Sequence, residues 1–286
     1  MPAAPEHPER PDGGAPTSPR SDRVKAVRRL AGRSARVRAG RFAAEGPQAV
    51  REAVATPWVE AVYATEVAWH RHQDIAALAA ERAVRVHLVT EGVLEAMSDT
   101  VSPQGMIAVC RLVDVPLASI VGGSPRLVAV LARVRDPGNA GTVIRAADAA
   151  GADAVVLTDS SVDLHNPKCV RSTAGSLFHL PLVTVVSLSE TVDALRGAGL
   201  TVLAADGAGD HDLDELQDSA DAGQGPLSGP VAWVFGNEAW GLPPEDLALA
   251  DAVVRVPVHG RAESLNLATA ASVCLYATAR AHRRAG

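Results

Sequence analysis

The sequence predicts an α/β fold in two parts, a small α/β domain ahead of a larger one built on a parallel sheet. Three observations carry this. Short β-rich runs alternate with helical stretches along most of the chain. In the second half those runs are apolar almost throughout, as strands covered on both faces require. Between the halves, VDVPLASIVGGSP (113–125) has the proline and glycine of a connector and no clear periodicity. With 286 residues, 47% of them hydrophobic, the chain is long enough for two domains that each bury a core.

Residues 1–22, rich in proline, glycine and charge with no apolar signal core, predict a disordered tail of a cytoplasmic protein. The first domain is expected over 23–112. It opens with a basic helix (23–38), and RFAAEGPQAVREAV (41–54) follows as a strand or turn entering an amphipathic helix. Then come a strand VEAVYAT (59–65), a helix HQDIAALAAERA, a strand VRVHLV (84–89), a short helix EGVLEAMSD and a strand GMIAVC (105–110). The second domain, 126–286, begins with the buried run RLVAVLARV (126–134). TVIRAADAAG reads as a helix closed by Gly151, DAVVLTD (153–159) as a strand, and HNPKCVRSTAGSLFHL as a helix. LVTVV, TVLAAD, PVAWVFG (230–236) and VVRVPV (253–258) supply further strands, with the helix LSETVDALRGAG among them.

Composition narrows the function. No apolar run is long enough to span a bilayer. The three cysteines, Cys110, Cys169 and Cys274, are far apart and form no CxxC pair, and the histidines lack metal-ligand spacing, so neither a disulfide framework nor a metal site is expected. The net charge of −6 argues against a nucleic-acid partner, but the charge is unevenly spread. Residues 23–41 hold eight basic side chains (Arg23, Lys25, Arg28, Arg29, Arg33, Arg36, Arg38 and Arg41) and no acid, whereas 206–221 holds seven acids and reads as a solvated glycine-rich loop. A basic run is ordinarily a solvated helix; its one-sidedness here favours an RNA contact.

Ligands of open parallel sheets bind beyond the carboxyl ends of the strands. Three loops there carry polar residues. RDPGNAGTVIRAADAAG (135–151) places Asn139 at a helix start, Gly141 where backbones approach closely, and Arg145 further along the helix. VFGNEAWGLP (234–243) sets Glu238 after Gly236, whose missing side chain leaves room for a ligand. VPVHGRAESLNLATAASVCLYATAR (256–280) runs through a loop to a helix capped around Ser264, with Leu265 and Asn266 following. Capping, a surface charge or a plain turn explains each loop singly, but not the three together.

On these motifs, DPGNAGTVIRAADAAGAD, NPKCVRSTAGSLFHLP, FGNEAWGLP and VPVHGRAESLNLATAAS in this order, the chain resembles the SpoU (TrmH-like) branch of the SPOUT RNA 2′-O-ribose methyltransferases. RFAAEGPQAVREAV and MSDTVSPQGMIAV resemble that family's L30e-like substrate-binding domain. The resemblance implies a trefoil-knotted catalytic domain, against the usual avoidance of knots, and a homodimer that shares its active site. It implies S-adenosylmethionine as cofactor, held around Gly236, Val256 and Leu265 near the loop after Ala205. It also implies catalytic roles for Asn139, Arg145, Glu238, Ser264 and Asn266, and a phosphate contact for Arg171. His259, Gly260 and the long acidic 206–221 segment depart from the family pattern.

The family's usual proposal makes the arginine matching Arg145 a general base. A guanidinium with a pKa above ~12 is a poor one, so the expectation here is phosphate binding and stabilisation of the developing oxyanion. A separate N-terminal domain favours folded 23S ribosomal RNA over tRNA. The resemblance includes resistance enzymes of the thiostrepton and avilamycin type. The alternatives are a tRNA 2′-O-methyltransferase and a non-catalytic RNA-binding or ribosome-assembly protein. A nicotinamide enzyme is weaker, since no GxGxxG follows a first strand.

Overall fold

A computed structural model describes residues 15–285. Residues 1–14 of the expected tail lie outside it, and order begins earlier than expected: Ser21 caps the first helix by accepting from the Val24 amide.

The elements of the first half are α1 (Asp22–Arg29), α2 (Arg33–Ala39), β1 (Arg41–Glu45), α3 (Pro47–Val54), β2 (Val59–Thr65), α4 (Glu66–Arg71), α5 (Gln73–Glu81), β3 (Val86–Val89), α6 (Glu91–Met97) and β4 (Met106–Arg111). The strands form one sheet in the order β1-β4-β2-β3, antiparallel except for the β2–β3 pair. The single basic helix expected at 23–38 is two helices. Arg36 explains the break: its Nη1 donates to the carbonyls of Leu30 (2.8 Å) and Ala31 (2.7 Å), satisfying the end of α1 that another turn would have bonded.

The connector holds α7 (Leu117–Val121), and its Asp114 bridges to Leu182 at the edge of the second sheet. It is thus part of the second half rather than a bare linker. The remaining elements are β5 (Leu127–Leu131), α8 (Pro137–Ala150), β6 (Ala154–Thr158), α9 (Pro167–Ser172), β7 (Leu182–Val186), α10 (Leu188–Gly197), β8 (Thr201–Ala205), β9 (His211–Asp212), α11 (Leu213–Asp221), β10 (Val231–Phe235), α12 (Pro244–Leu247), β11 (Ala252–Arg255) and α13 (Leu267–Ala285). The seven strands are parallel, in the order β7-β6-β5-β10-β8-β11-β9. Strands β5, β6 and β10 are buried at every position, as their continuous apolar runs required.

Two second-half expectations are corrected. The helix over 165–180 ends at Ser172, because Ala174 and Gly175 take positive φ (50° and 102°) and turn the chain into a 3₁₀ turn at Ser176–Phe178. The acidic 206–221 segment is no solvated loop: it holds β9 and α11, whose Leu213 and Ala220 are buried while its acids face outward.

The two halves share a core. Phe42 of β1 packs on His165 (ring centroids 4.8 Å) and on Phe178 (6.0 Å). Beside them Arg36, 2% exposed, donates from Nη2 to Asp163 at 2.6 Å. His165 is buried and accepts from the Val113 amide, and burial holds its pKa below the usual histidine value. The second core cluster lies on the opposite face of the large sheet.

Candidate active site

The carboxyl ends of β5, β10, β8 and β11 lie side by side in the sheet, so the loops that leave them meet. Asp136 caps α8 by accepting from the Asn139 amide at 2.8 Å, with Pro137 at the first helical position. Lys168 of α9 donates to the same carboxylate at 2.9 Å, and these bonds hold the Asp136 pKa below the ordinary carboxylate value.

The loop after β10 is folded tightly. Asn237 and Gly241 exchange two backbone hydrogen bonds of 2.9 Å, and the Asn237 side chain donates to the Arg133 carbonyl at 2.8 Å. Gly236 is required by this loop itself: a Cβ there would lie 2.4 Å from the Gly241 carbonyl carbon. The expectation drawn from the sequence assigns the missing side chain to a ligand; closure of the loop already requires its absence.

This loop projects Glu238 towards α8. Its carboxylate accepts from the amides of Asp136 (3.0 Å) and Arg135 (3.3 Å) and from the side-chain amide of Asn139 (3.3 Å). From the third loop the Asn266 side chain donates to Asn139 Oδ1 at 3.1 Å. Asn266 Oδ1 also accepts from the Ala268 amide at 2.9 Å, which makes Asn266 the cap of α13. The expectation that Ser264 caps this helix is therefore corrected; Ser264 lies exposed in the preceding loop.

The structure thus brings together Asn139, Glu238 and Asn266 from three loops, and leaves Arg145 apart. Six residues along an α-helix correspond to roughly 9 Å of rise and leave Arg145 about 120° around the axis from Asn139. Arg145 is exposed and has no ion pair or side-chain hydrogen bond among the described residues. Its face of α8 continues onto α13, where Val273 and Tyr276 are exposed and Tyr276 donates to the Ala149 carbonyl.

The residues expected around the cofactor lie at the carboxyl-end loops of the large sheet. Ala205, Gly236 and Val256 end or follow adjacent strands, and Leu265 lies in the loop before α13. No backbone amide of residues 258–265 donates to a backbone carbonyl among the described residues, so this exposed loop offers main-chain donors beside the strand ends. A methionine carboxylate and an adenine edge require such donors, and the residues present fit S-adenosylmethionine. Sequence reasoning missed Asp136, Lys168, Asn237 and Trp240; Trp240 is half exposed beneath the Arg135 guanidinium, 5.1 Å from its ring centroid. The Asp-Pro pair at 136–137 was a legible cap signal.

The expected RNA-binding residues separate. Arg36 is corrected: it is buried against Asp163 and serves the seam between the halves. Arg28 donates to the Ser98 carbonyl at 2.6 Å, Arg41 pairs with Glu60, and Arg33 lies 3.9 Å from Asp163. Lys25 pairs with Asp22 at 3.5 Å. Arg23 is half-buried on α1, whereas Arg29 and Arg38 are exposed. Arg171 lies at the seam, 3.7 Å from Asp99. No cluster of three or more His, Cys, Asp or Glu side chains is placed to hold a metal, and no helix is long and apolar enough to cross a membrane, among the described residues.

The chain is similar to known proteins along most of its length. Residues 126–276 match the SpoU rRNA Methylase family, and residues 21–108 match an MRM3-like substrate binding domain. The 23S rRNA (guanosine(2553)-2′-O)-methyltransferase RlmP of Bacillus subtilis is 34% identical over 91% of this chain and 96% of its own length. The 23S rRNA (uridine(2479)-2′-O)-methyltransferase of Streptomyces viridochromogenes is 30% identical over 91% and 95%. An AdoMet-bound rRNA methyltransferase structure from Sinorhizobium meliloti superposes with a TM-score of 0.79 at 32% identity, covering 93% of this chain and 97% of that one.

Proposed function

The chain belongs to the SpoU rRNA methylase family, and from that premise we propose that it transfers a methyl group from S-adenosylmethionine to a ribose 2′-hydroxyl of 23S ribosomal RNA. The observation that carries this reading is the Asn139–Glu238–Asn266 network at the carboxyl ends of the parallel strands. It needs three loops in register and serves no core. Residues around Ala205, Gly236, Val256 and Leu265 would hold the cofactor, which supplies an electrophilic methyl group on sulfur.

The task left to the protein is to place the 2′-oxygen and to ease loss of its proton. Glu238 accepts from two backbone amides and from Asn139, and so fixes the orientation of the Asn139 amide. Asn266 fixes the other end of that amide. Asn139 is thereby held to present a set donor and acceptor pattern to a ribose. Arg145, charged and unpaired, binds the neighbouring phosphate and stabilises negative charge growing on the oxygen. Ser264, in the exposed loop before α13, orients the ribose from the loop side.

A homodimer belongs to the same reading. Arg145 points away from its own Asn139 network, and the exposed apolar side chains Val273 and Tyr276 lie on the same face. A second copy packed there would set its Arg145 against this chain's network. The trefoil knot is supported by the insertion of β10 between β5 and β8, which precede it in the chain. Protection of the ribosome against an antibiotic follows if the methylated ribose lies in a drug site, and is measured as drug tolerance of a strain expressing the chain. The reaction is tested by offering tritium-labelled S-adenosylmethionine and unmethylated 23S, 16S and tRNA pools. Label in 23S RNA supports the proposal; label confined to tRNA transfers the chemistry to another substrate.

A further inference from the structure

Two clefts flank the loop of residues 98–105. The larger, about 920 Å³, lies between α3, α4 and α6; the smaller, about 270 Å³, lies between the same loop and α9 of the catalytic half. Both are lined by Gln48, Ser102, Pro103 and Gln104, so they form one groove across the seam.

The groove is built in advance. Glu45 accepts from Ser98 Oγ (2.8 Å), the Asp99 amide (2.7 Å) and Thr100 Oγ1 (3.2 Å), which pins the loop. Gly105, at φ +83°, lets the loop close on α4, where a Cβ would lie 2.5 Å from that of Ala68.

Its chemistry suits a nucleobase. The side-chain amides of Gln48 and Gln104 form no hydrogen bond with the protein among the described residues, and such amides pair two-fold with base edges. Val67 and Val101 stand exposed on the rim, Val101 fully, and offer apolar contact to a ring. The Arg71 guanidinium and the His72 imidazole, adjacent in the lining, are planes on which a base stacks. Glu91 and Glu95 also line the cleft; they disfavour a run of phosphates but accept from exocyclic amino groups.

At the far end is Arg171, whose Nη1 is buried without a hydrogen-bond partner, its nearest carboxylate being Asp99 at 3.7 Å. One helical turn away on α9, Lys168 bonds Asp136, the cap of the helix that carries Asn139. The groove thus ends at α9, one helical turn from the residue that ties α9 to the cap of α8.

We propose that this groove receives one unpaired nucleotide of the substrate RNA, its base read by Gln48 and Gln104 and its phosphate held by Arg171. The inference rests on the RNA methyltransferase reading and names the surface that selects the RNA. The expected basic patch of α1 and α2 is then a subsidiary contact.

The test measures KM for an unmethylated 23S fragment and the affinity for S-adenosylmethionine, using the full chain with Gln48→Ala/Gln104→Ala together and, separately, Val101→Asp. Each variant is expected to raise KM for RNA on the order of tenfold while cofactor affinity stays within about twofold. Replacing one unpaired nucleotide of the fragment by an abasic one is expected to weaken the wild type equally and to add nothing to the double variant. Unchanged KM in both variants, on an RNA that the wild type methylates, overturns the groove. Should the double variant lose cofactor binding through misfolding, Val101→Asp decides, because its side chain touches no core. If the wild type methylates no RNA at all, the enzymatic reading fails first and the groove proposal with it.

Discussion

The side chain of Asn266 donates to that of Asn139 at 3.1 Å across 127 residues of sequence, and so ties the start of α13 to the first turn of α8. With Glu238 on the other side, Asn139 is held at both ends of its amide. Its orientation is therefore a property of the whole sheet edge.

Asn139→Ala is expected to lower the rate of methyl transfer by about 10²-fold or more, since an oriented polar contact at the reacting group is lost. Cofactor affinity, measured by calorimetry, is expected to stay near wild type. Loss of cofactor binding would assign Asn139 to the cofactor pocket instead.

Arg145→Lys keeps the charge but loses the planar fork, and is expected to retain a small part of the activity, with Arg145→Ala retaining none. A pH–rate profile accompanies both. A lysine variant at full rate with the wild-type profile would contradict the two-point phosphate role.

Arg36→Ala removes one partner of a buried pair and leaves Asp163 with only distant cations. The expected loss of stability is about 3 kcal/mol, read from denaturant unfolding. A loss under about 0.5 kcal/mol would show that the seam does not depend on this pair.

His179 joins the halves, meeting Asp148 of α8 at 2.8 Å and Glu52 of α3 at 3.1 Å. Burial acts to lower its pKa, but the two carboxylates outweigh burial and raise it. A raised folded pKa gives stability that is full below the unfolded value and lost as pH rises through the folded one. His179→Ala is therefore expected to lower Tm more at about pH 5.5 than at about pH 9, around an unfolded pKa of about 6.5. Equal losses at both would leave packing as its only role.

Much of this was legible in the sequence because the signals were local. The wholly apolar stretches 127–132 and 231–235 contain β5 and β10. Gly141 is fixed by close packing: a Cβ would lie 2.5 Å from the Cys169 carbonyl oxygen. What escaped depended on distant partners. Arg36 looked like any cation of a basic run until Asp163 closed over it, 127 residues away. The acids of 206–221 masked an amphipathic helix whose few apolar positions pack on α13. Ser264 and Asn266 are both good caps by type, and only the fold selects Asn266.

The position of the transferred methyl group tests the central claim most directly. The 23S RNA treated with the wild-type chain and with Asn139→Ala is digested to nucleosides and examined by mass spectrometry. A 2′-O-methylnucleoside formed by the wild type and absent from the Asn139→Ala reaction is the predicted result. A methyl group on a base, or the same ribose product from both proteins, would contradict it.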